Sequence, residues 1–148
     1  MRGIFKINKK SSFVIYIVLD TLFVGMGMGV PFFCILFGFP VGWYLAKRLK
    51  LQKLQINDIL SGILKYATLT SLITLAWMLI IWGSITTMLG NPSTNFADFG
   101  IPLILYDPKL SFIGWIILMI FISPFLQVLT TVFASHMALW RLSKKTNE

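Results

Sequence analysis

The sequence is poor in charged residues, and above all in acidic ones. Only 12% of its 148 residues are charged, whereas 57% are hydrophobic. A soluble domain normally carries about 25% charged residues, so the polar surface here is too small to cover a water-soluble globule. Apolar runs longer than about 18 residues are typical of membrane spans. The composition therefore predicts an all-α integral membrane protein.

Residues and motifs that carry chemistry are equally scarce. Cys34 is the single cysteine and His136 the single histidine, so the sequence offers neither a disulfide pair nor the several ligands of a metal site. It contains none of the HExxH, GxSxG, CxxC, P-loop or dinucleotide-binding motifs. Only one of the 5 acidic residues, Asp20, lies deep in an apolar run. We therefore expect no enzymatic activity, no cofactor and no bound metal.

Basic residues, in contrast, are plentiful and confined to short segments. Of the 13 Lys and Arg residues, all except Lys109 fall within residues 2–10, 47–65 and 141–145, which flank the apolar stretches. Positive charge beside membrane spans is retained in the cytoplasm. The net charge of +8 is thus explained by topology, and we expect no nucleic-acid binding. The predicted partners are the lipid bilayer and anionic lipid headgroups at the cytoplasmic face.

The first apolar stretch, residues 13–46, is too long for one span. A straight helix of that length would measure ~50 Å, against a hydrocarbon core of ~30 Å. Glycines and Pro31 interrupt its middle and predict a tight hairpin between helices 1 and 2, near residues 29–31. Two spans there would put the first two basic clusters on one side of the membrane.

The sequence therefore predicts a four-transmembrane-helix bundle in the cell membrane, with both termini cytoplasmic. The expected spans are at about residues 13–29, 31–46, 66–89 and 112–140. The alternative is three spans with a re-entrant segment at 25–42, which loses the agreement between the basic clusters.

Two connections join these spans. The inner connection, 47–65, mixes leucine and isoleucine with lysine, which favours an amphipathic helix in the headgroup region; a partner-binding helix is the alternative. Asn57 or Asp58 is the expected N-cap of the helix leading into span three.

The outer loop, 90–110, is either a contact surface or a simple connector. The turn at Asp107 and Pro108 is expected to start span four.

Asp20 is the most informative single residue. A charge near the middle of the bilayer costs ~2.5–3.5 kcal/mol on insertion scales, and such residues usually face the interior of the bundle. Tyr16 lies one helical turn earlier, and spans three and four offer Thr70, Thr74 and Gln127 at similar depth. Asp20 could stay neutral and tie helices together, titrate during transport, or pair with a separate subunit.

Glycines provide a second pattern, which concerns helix packing. Gly25 and Gly29 form one GxxxG pair, Gly38 and Gly42 form another, and Gly27 lies on the same helix face as Asp20. GxxxG pairs allow close approach of helix backbones in lipid. We expect all five glycines to serve packing.

The size and the four-span plan resemble those of small multidrug transporters, which also carry an acidic residue in the first span. The aromatic and glycine pattern of that family does not map onto this chain, so no site residues are carried over. We expect a small non-enzymatic structural or accessory membrane protein, acting as a homo-oligomer or beside a larger membrane subunit. The alternative is a small oligomeric transporter or channel that uses Asp20 as a protonation or ion site.

Overall fold

Helices make up nearly all of residues 9–26, 32–52 and 55–144, which the computed structural model describes. No strand occurs in these ranges. The elements in order are α1 (Lys9–Met26), α2 (Phe32–Leu51), α3 (Ile56–Ile85) with a 3₁₀ extension (Thr86–Gly90), a 3₁₀ turn (Phe96–Phe99), α4 (Pro108–Ile117), a π-helical turn (Leu118–Ile122) and α5 (Ser123–Lys144).

Three of these helical stretches are long and apolar enough to cross a membrane: Phe32–Leu51, Ile56–Gly90 and Pro108–Lys144. α1 contributes a shorter apolar stretch, Ser11–Gly25. Its 18 residues rise ~27 Å, close to the ~30 Å hydrocarbon core. The hairpin predicted near 29–31 lies outside the described residues, as do Gly27 and Gly29.

The helices reach further into the inner connection than the sequence predicts. α2 continues to Leu51 and α3 begins at Ile56, so the described residues leave no room for a separate interfacial helix over 47–65. The buried Leu49 packs against Ile59 and Ile63, and this contact stabilises both helix ends.

The start of α3 also differs from the expectation. Its N-cap is Gln55, which makes no side-chain capping hydrogen bond. Asn57 and Asp58 lie within the first helical turn, so neither serves as the N-cap. The packing of the first turn against α2 outweighs the capping preference of these two residues.

A continuous helical rod of 37 residues, Pro108–Lys144, contains α4, the π-helical turn and α5. It begins where Asp107 accepts a hydrogen bond from the Leu110 amide at 2.9 Å, with Pro108 at the first helical position. The π-helical turn ends two residues before Pro124, which cannot donate to the carbonyl of Ile120, four residues back. Widening the helical ladder there accommodates the proline ring.

The small residues of α2 pack tightly against α5. A Cβ atom on Gly38 would lie 2.9 Å from the carbonyl oxygen of Gln127, and one on Gly42 would overlap the carbonyl oxygen of Thr131. These two glycines therefore let the backbones of α2 and α5 approach closely. Gly25 differs, because no atom of the described residues lies within 4 Å of a Cβ built there. Within the described part of the chain, Gly25 therefore makes no close packing contact of the kind made by Gly38 and Gly42.

The helices bury several polar side chains and expose many large apolar ones, unlike those of a soluble protein. Among the residues whose burial the structure describes, nine polar side chains are buried: Asp20, Thr70, Ser71, Thr74, Ser111, Ser123, Gln127, Thr131 and Ser135. Large apolar side chains face outward on every long helix, for example Val18, Phe33, Ile80, Phe121 and Phe133. Outward apolar faces of this extent suit a lipid environment.

Aromatic and basic side chains bring several helix ends together. The Lys47 ammonium lies 5.4 Å from the centre of the Trp43 ring, and the Arg141 guanidinium lies 5.6 Å from it. Arg48 donates to the hydroxyls of Ser12 and Tyr44 at 2.8 Å and 2.7 Å. The start of α1 and the ends of α2 and α5 thus lie close together, in a region that we call the basic end.

Candidate functional site

Asp20 is completely buried, with 0% of its surface exposed. The hydroxyl of Thr74 on α3 lies 3.0 Å from both carboxyl oxygens. The Tyr16 hydroxyl is a second hydrogen-bonding group beside the carboxyl group. α1 positions Asp20 inward because Tyr16 and Val24, one turn before and one turn after, are also buried.

Tyr16 connects three helices. Its hydroxyl donates to the carbonyl oxygen of Thr70 at 2.9 Å and lies 3.3 Å from the Thr74 hydroxyl. The side-chain amide of Gln127, on α5, donates to the Tyr16 oxygen at 3.1 Å. Phe37 of α2 stacks on the Tyr16 ring with centroids 5.5 Å apart. All five residues predicted to form an intramembrane polar site therefore meet in one place, which we call the Asp20 network.

Hydrogen-bond acceptors outnumber donors in the Asp20 network. An ionised Asp20 would present two oxygens with about four acceptor positions, but Thr74 has a single hydroxyl proton to share between them. The amide oxygen of Gln127 is buried and has no hydrogen-bond partner in the described part of the chain. A proton on Asp20 would add a donor where donors are lacking, so the geometry suits the neutral carboxylic acid.

The Asp20 network consists of one carboxyl group, three hydroxyl groups and one side-chain amide. Among the described residues, no group of three or more His, Cys, Asp and Glu side chains could hold a metal ion. Cys34 is fully buried in an apolar cluster with Val24 and Met78. His136 is exposed on α5. The arrangement can hold helices together and can store or pass a proton.

Hydroxyl groups tie the remaining helices to one another. Ser71 of α3 donates to the carbonyl oxygen of Pro124 at 2.7 Å. From α5, Thr130 donates to the carbonyl of Ile35 at 2.8 Å and Ser135 to that of Gly42 at 2.9 Å. The buried polar residues Thr131 and Ser135 were not predicted from the sequence. The signal was present, because residues 123, 127, 131 and 135 recur at the four-residue spacing of one helix face.

A cavity of about 290 Å³ lies beside the Asp20 network. Tyr16 and Thr70 form its inner end, and Ser12, Tyr44 and Arg48 line its other end. Asp20 is not among the lining residues. The cavity therefore stops one hydrogen-bonded layer short of the carboxyl group.

The outer loop exposes an apolar segment held in a fixed position. Leu103, Ile104, Leu105 and Tyr106 are all at least half exposed. The hydroxyl of Ser111 donates to the carbonyl of Leu105 and accepts from its amide, both at 2.9 Å. This geometry is compatible with the contact surface expected in the loop.

Comparison with protein-family models, with curated proteins and with solved structures finds no match to this chain. Its function must therefore be argued from its own geometry.

Proposed function

We propose that the chain is a four-span protein of the cell membrane with both termini in the cytoplasm. The support is the basic end, where Lys47, Arg48 and Arg141 meet, together with the positive-inside tendency. With α1, α2, α3 and the α4–α5 rod each crossing once, all these charges lie on one side. The basic end then faces anionic headgroups.

Cysteine labelling tests this topology. In a Cys34→Ala background, Ser143→Cys should react with a membrane-impermeant maleimide only after the membrane is opened. Tyr106→Cys should react in intact cells. Labelling of both positions from the same side would contradict the four-span arrangement.

We propose further that the protein acts as a non-enzymatic structural or accessory membrane protein. The observation that carries this proposal is the full burial of Asp20 against the hydroxyl of Thr74. A charged carboxylate there would forgo its hydration for one shared hydroxyl proton. A neutral Asp20 instead joins α1 to α3, and Tyr16 extends the link to α5.

Replacement of the acid tests the structural role. Asp20→Asn keeps the shape and a hydrogen-bonding group, so folding and assembly should remain nearly intact. Asp20→Leu removes the hydrogen bond and should lower the free energy of unfolding by about 0.6 kcal/mol, the average for interhelical hydrogen bonds in membranes, and by ~1.7 kcal/mol at most. Both variants can be measured by unfolding in mixed micelles. Loss of assembly in Asp20→Asn would argue against a neutral structural acid.

A small oligomeric transporter or channel is the second candidate, and the cavity supports it. The cavity extends from Arg48 to Tyr16 and Thr70, and the hydroxyls of Tyr16 and Thr74 continue toward Asp20. Such a chain of hydroxyls can relay a proton.

Flux measurements separate the two candidates. In liposomes with an imposed pH gradient, a transporter would move protons or cations, and Asp20→Asn would abolish that flux. The structural proposal expects the same background leak from wild type, Asp20→Asn and protein-free liposomes.

A further inference from the structure

The cavity between α1, α2 and α3 is shaped and charged for one particular kind of molecule. Its walls are almost entirely apolar and include Phe13, Leu19, Phe37, Val41 and Leu45. The guanidinium group of Arg48 lies at the basic end, together with the hydroxyls of Ser12 and Tyr44. An apolar channel with a cationic mouth suits a ligand with an apolar tail and an anionic head.

The length of the cavity matches one leaflet of a bilayer. Along α2 its lining extends from Phe37 to Leu49, a rise of ~18 Å at 1.5 Å per residue. The hydrocarbon core of a bilayer is ~30 Å thick, so the cavity covers about half of it. A ligand in the cavity would therefore have its tail within one leaflet and its head at the interface.

The volume of the cavity and the positive charge at its mouth indicate which class of lipid would fit. About 290 Å³ is at the lower end of the ~300–1,000 Å³ usual for ligand pockets, which suits one acyl chain rather than two. At the mouth, hydrogen bonds to Ser12 and Tyr44 hold the Arg48 guanidinium in place. Lys47 is its neighbour in sequence and lies against Trp43. Arginine is well suited to phosphate recognition because its planar fork of donors matches phosphate oxygens.

We propose that this cavity is a binding site for an anionic phospholipid, with one acyl chain between α1, α2 and α3 and the headgroup phosphate at Arg48. The site rests on the membrane location proposed above but not on the role of Asp20. A lipid there would cover the inner end of the cavity at Tyr16 and Thr70 and so keep the Asp20 network dry. The lipid would thereby stabilise the attachment of α1 to α3.

The test compares two lipids that differ only in headgroup. Purified full-length protein is titrated with dioleoyl phosphatidylglycerol or dioleoyl phosphatidylcholine in detergent, and lipid retention is measured by native mass spectrometry. We expect the anionic lipid to be retained at least tenfold better. Dihexanoyl phosphatidylglycerol, which has the same headgroup on short chains, should be retained poorly. Equal retention of the two dioleoyl lipids would overturn the proposal, as would full retention of the short-chain lipid.

Two substitutions locate the site. Arg48→Gln should weaken phosphatidylglycerol binding by about tenfold, the loss expected for a hydrogen bond to a charged group. It should weaken phosphatidylcholine binding less, because the choline ammonium already offsets the attraction between the phosphate and Arg48. Val41→Trp should fill the cavity and weaken both lipids. The matched controls are Lys109→Gln, which removes a charge outside the cavity, and Leu72→Trp, which adds the same bulk on an exposed face of α3.

Folding of each variant is checked by its thermal unfolding before lipid is added. If Arg48→Gln fails to fold, the Val41→Trp and Leu72→Trp pair decides: equal retention of phosphatidylglycerol by these two variants would place the lipid elsewhere. Asp20→Asn should bind phosphatidylglycerol as wild type does. A failed lipid site is thus distinguishable from a failed structural role for Asp20.

Discussion

Replacing Thr74 with valine tests the Asp20 network most specifically. Valine has nearly the shape of threonine, so the substitution removes the hydroxyl without opening a cavity. Each interhelical hydrogen bond in a membrane protein contributes ~0.6 kcal/mol on average and ~1.7 kcal/mol at most. The loss also leaves the fully buried Asp20 carboxyl without its donor, at a cost of ~1–3 kcal/mol. We expect Thr74→Val to lower the free energy of unfolding by about 1–3 kcal/mol.

The assay is reversible unfolding in mixed micelles with an increasing fraction of a denaturing detergent. Thr68→Val is the matched control because Thr68 is exposed on the same helix, and it should change stability by no more than about 0.5 kcal/mol. In an Asp20→Leu background, Thr74→Val should cost clearly less, since no buried carboxyl remains to be satisfied. Equal effects of Thr74→Val and Thr68→Val, or an undiminished effect in the Asp20→Leu background, would refute the reasoning.

Three further experiments, two by substitution and one by cysteine labelling, test other parts of the fold. Gly42→Ala should destabilise the protein by about 1–3 kcal/mol through overlap with the backbone of α5. Gly25→Ala should be neutral or stabilising, because no described residue lies close to a Cβ at that position. Both are measured by the same unfolding assay, and equal effects would contradict the close packing of α2 on α5. Asp107→Ala should cost about 1 kcal/mol by removing the N-cap of α4, and an unchanged unfolding midpoint would argue against the cap. Cys34, with 0% exposure, should resist a membrane-permeant maleimide until the protein is unfolded, and rapid labelling of the folded protein would mean that the α2 interface opens.

The sequence predicts the elements whose signals are local. Long uncharged runs indicate the apolar helices, and three of the described stretches are long enough to cross a membrane. The cost of a buried charge singles out Asp20. Polar residues of the other helices that lie at the same depth in the membrane as Asp20 then indicate its neighbours. Packed helices bring residues of equal depth together. Thr74 and Gln127 are examples, although the sequence did not specify that Thr74 contacts the carboxyl group directly whereas Gln127 reaches it through Tyr16.

Other features depend on packing between distant segments, which no local pattern reveals. The extension of α2 to Leu51 and the early start of α3 follow from the contact of Leu49 with Ile59 and Ile63. The cavity is a gap left by three helices, so it has no signature in the sequence. The open surroundings of Gly25 likewise depend on where its neighbours lie, and the GxxxG pattern is the same whether or not a helix packs against it.

The infrared spectrum of the Asp20 carboxyl group tests the central claim most directly. The difference between wild type and Asp20→Asn in lipid isolates the vibrations of this one side chain. A neutral structural acid predicts a protonated-carboxyl band that is present at neutral pH and unchanged from mildly acidic to mildly alkaline conditions. A carboxylate band at neutral pH, or a protonated band that titrates across this range, would contradict the account and favour a proton-handling role.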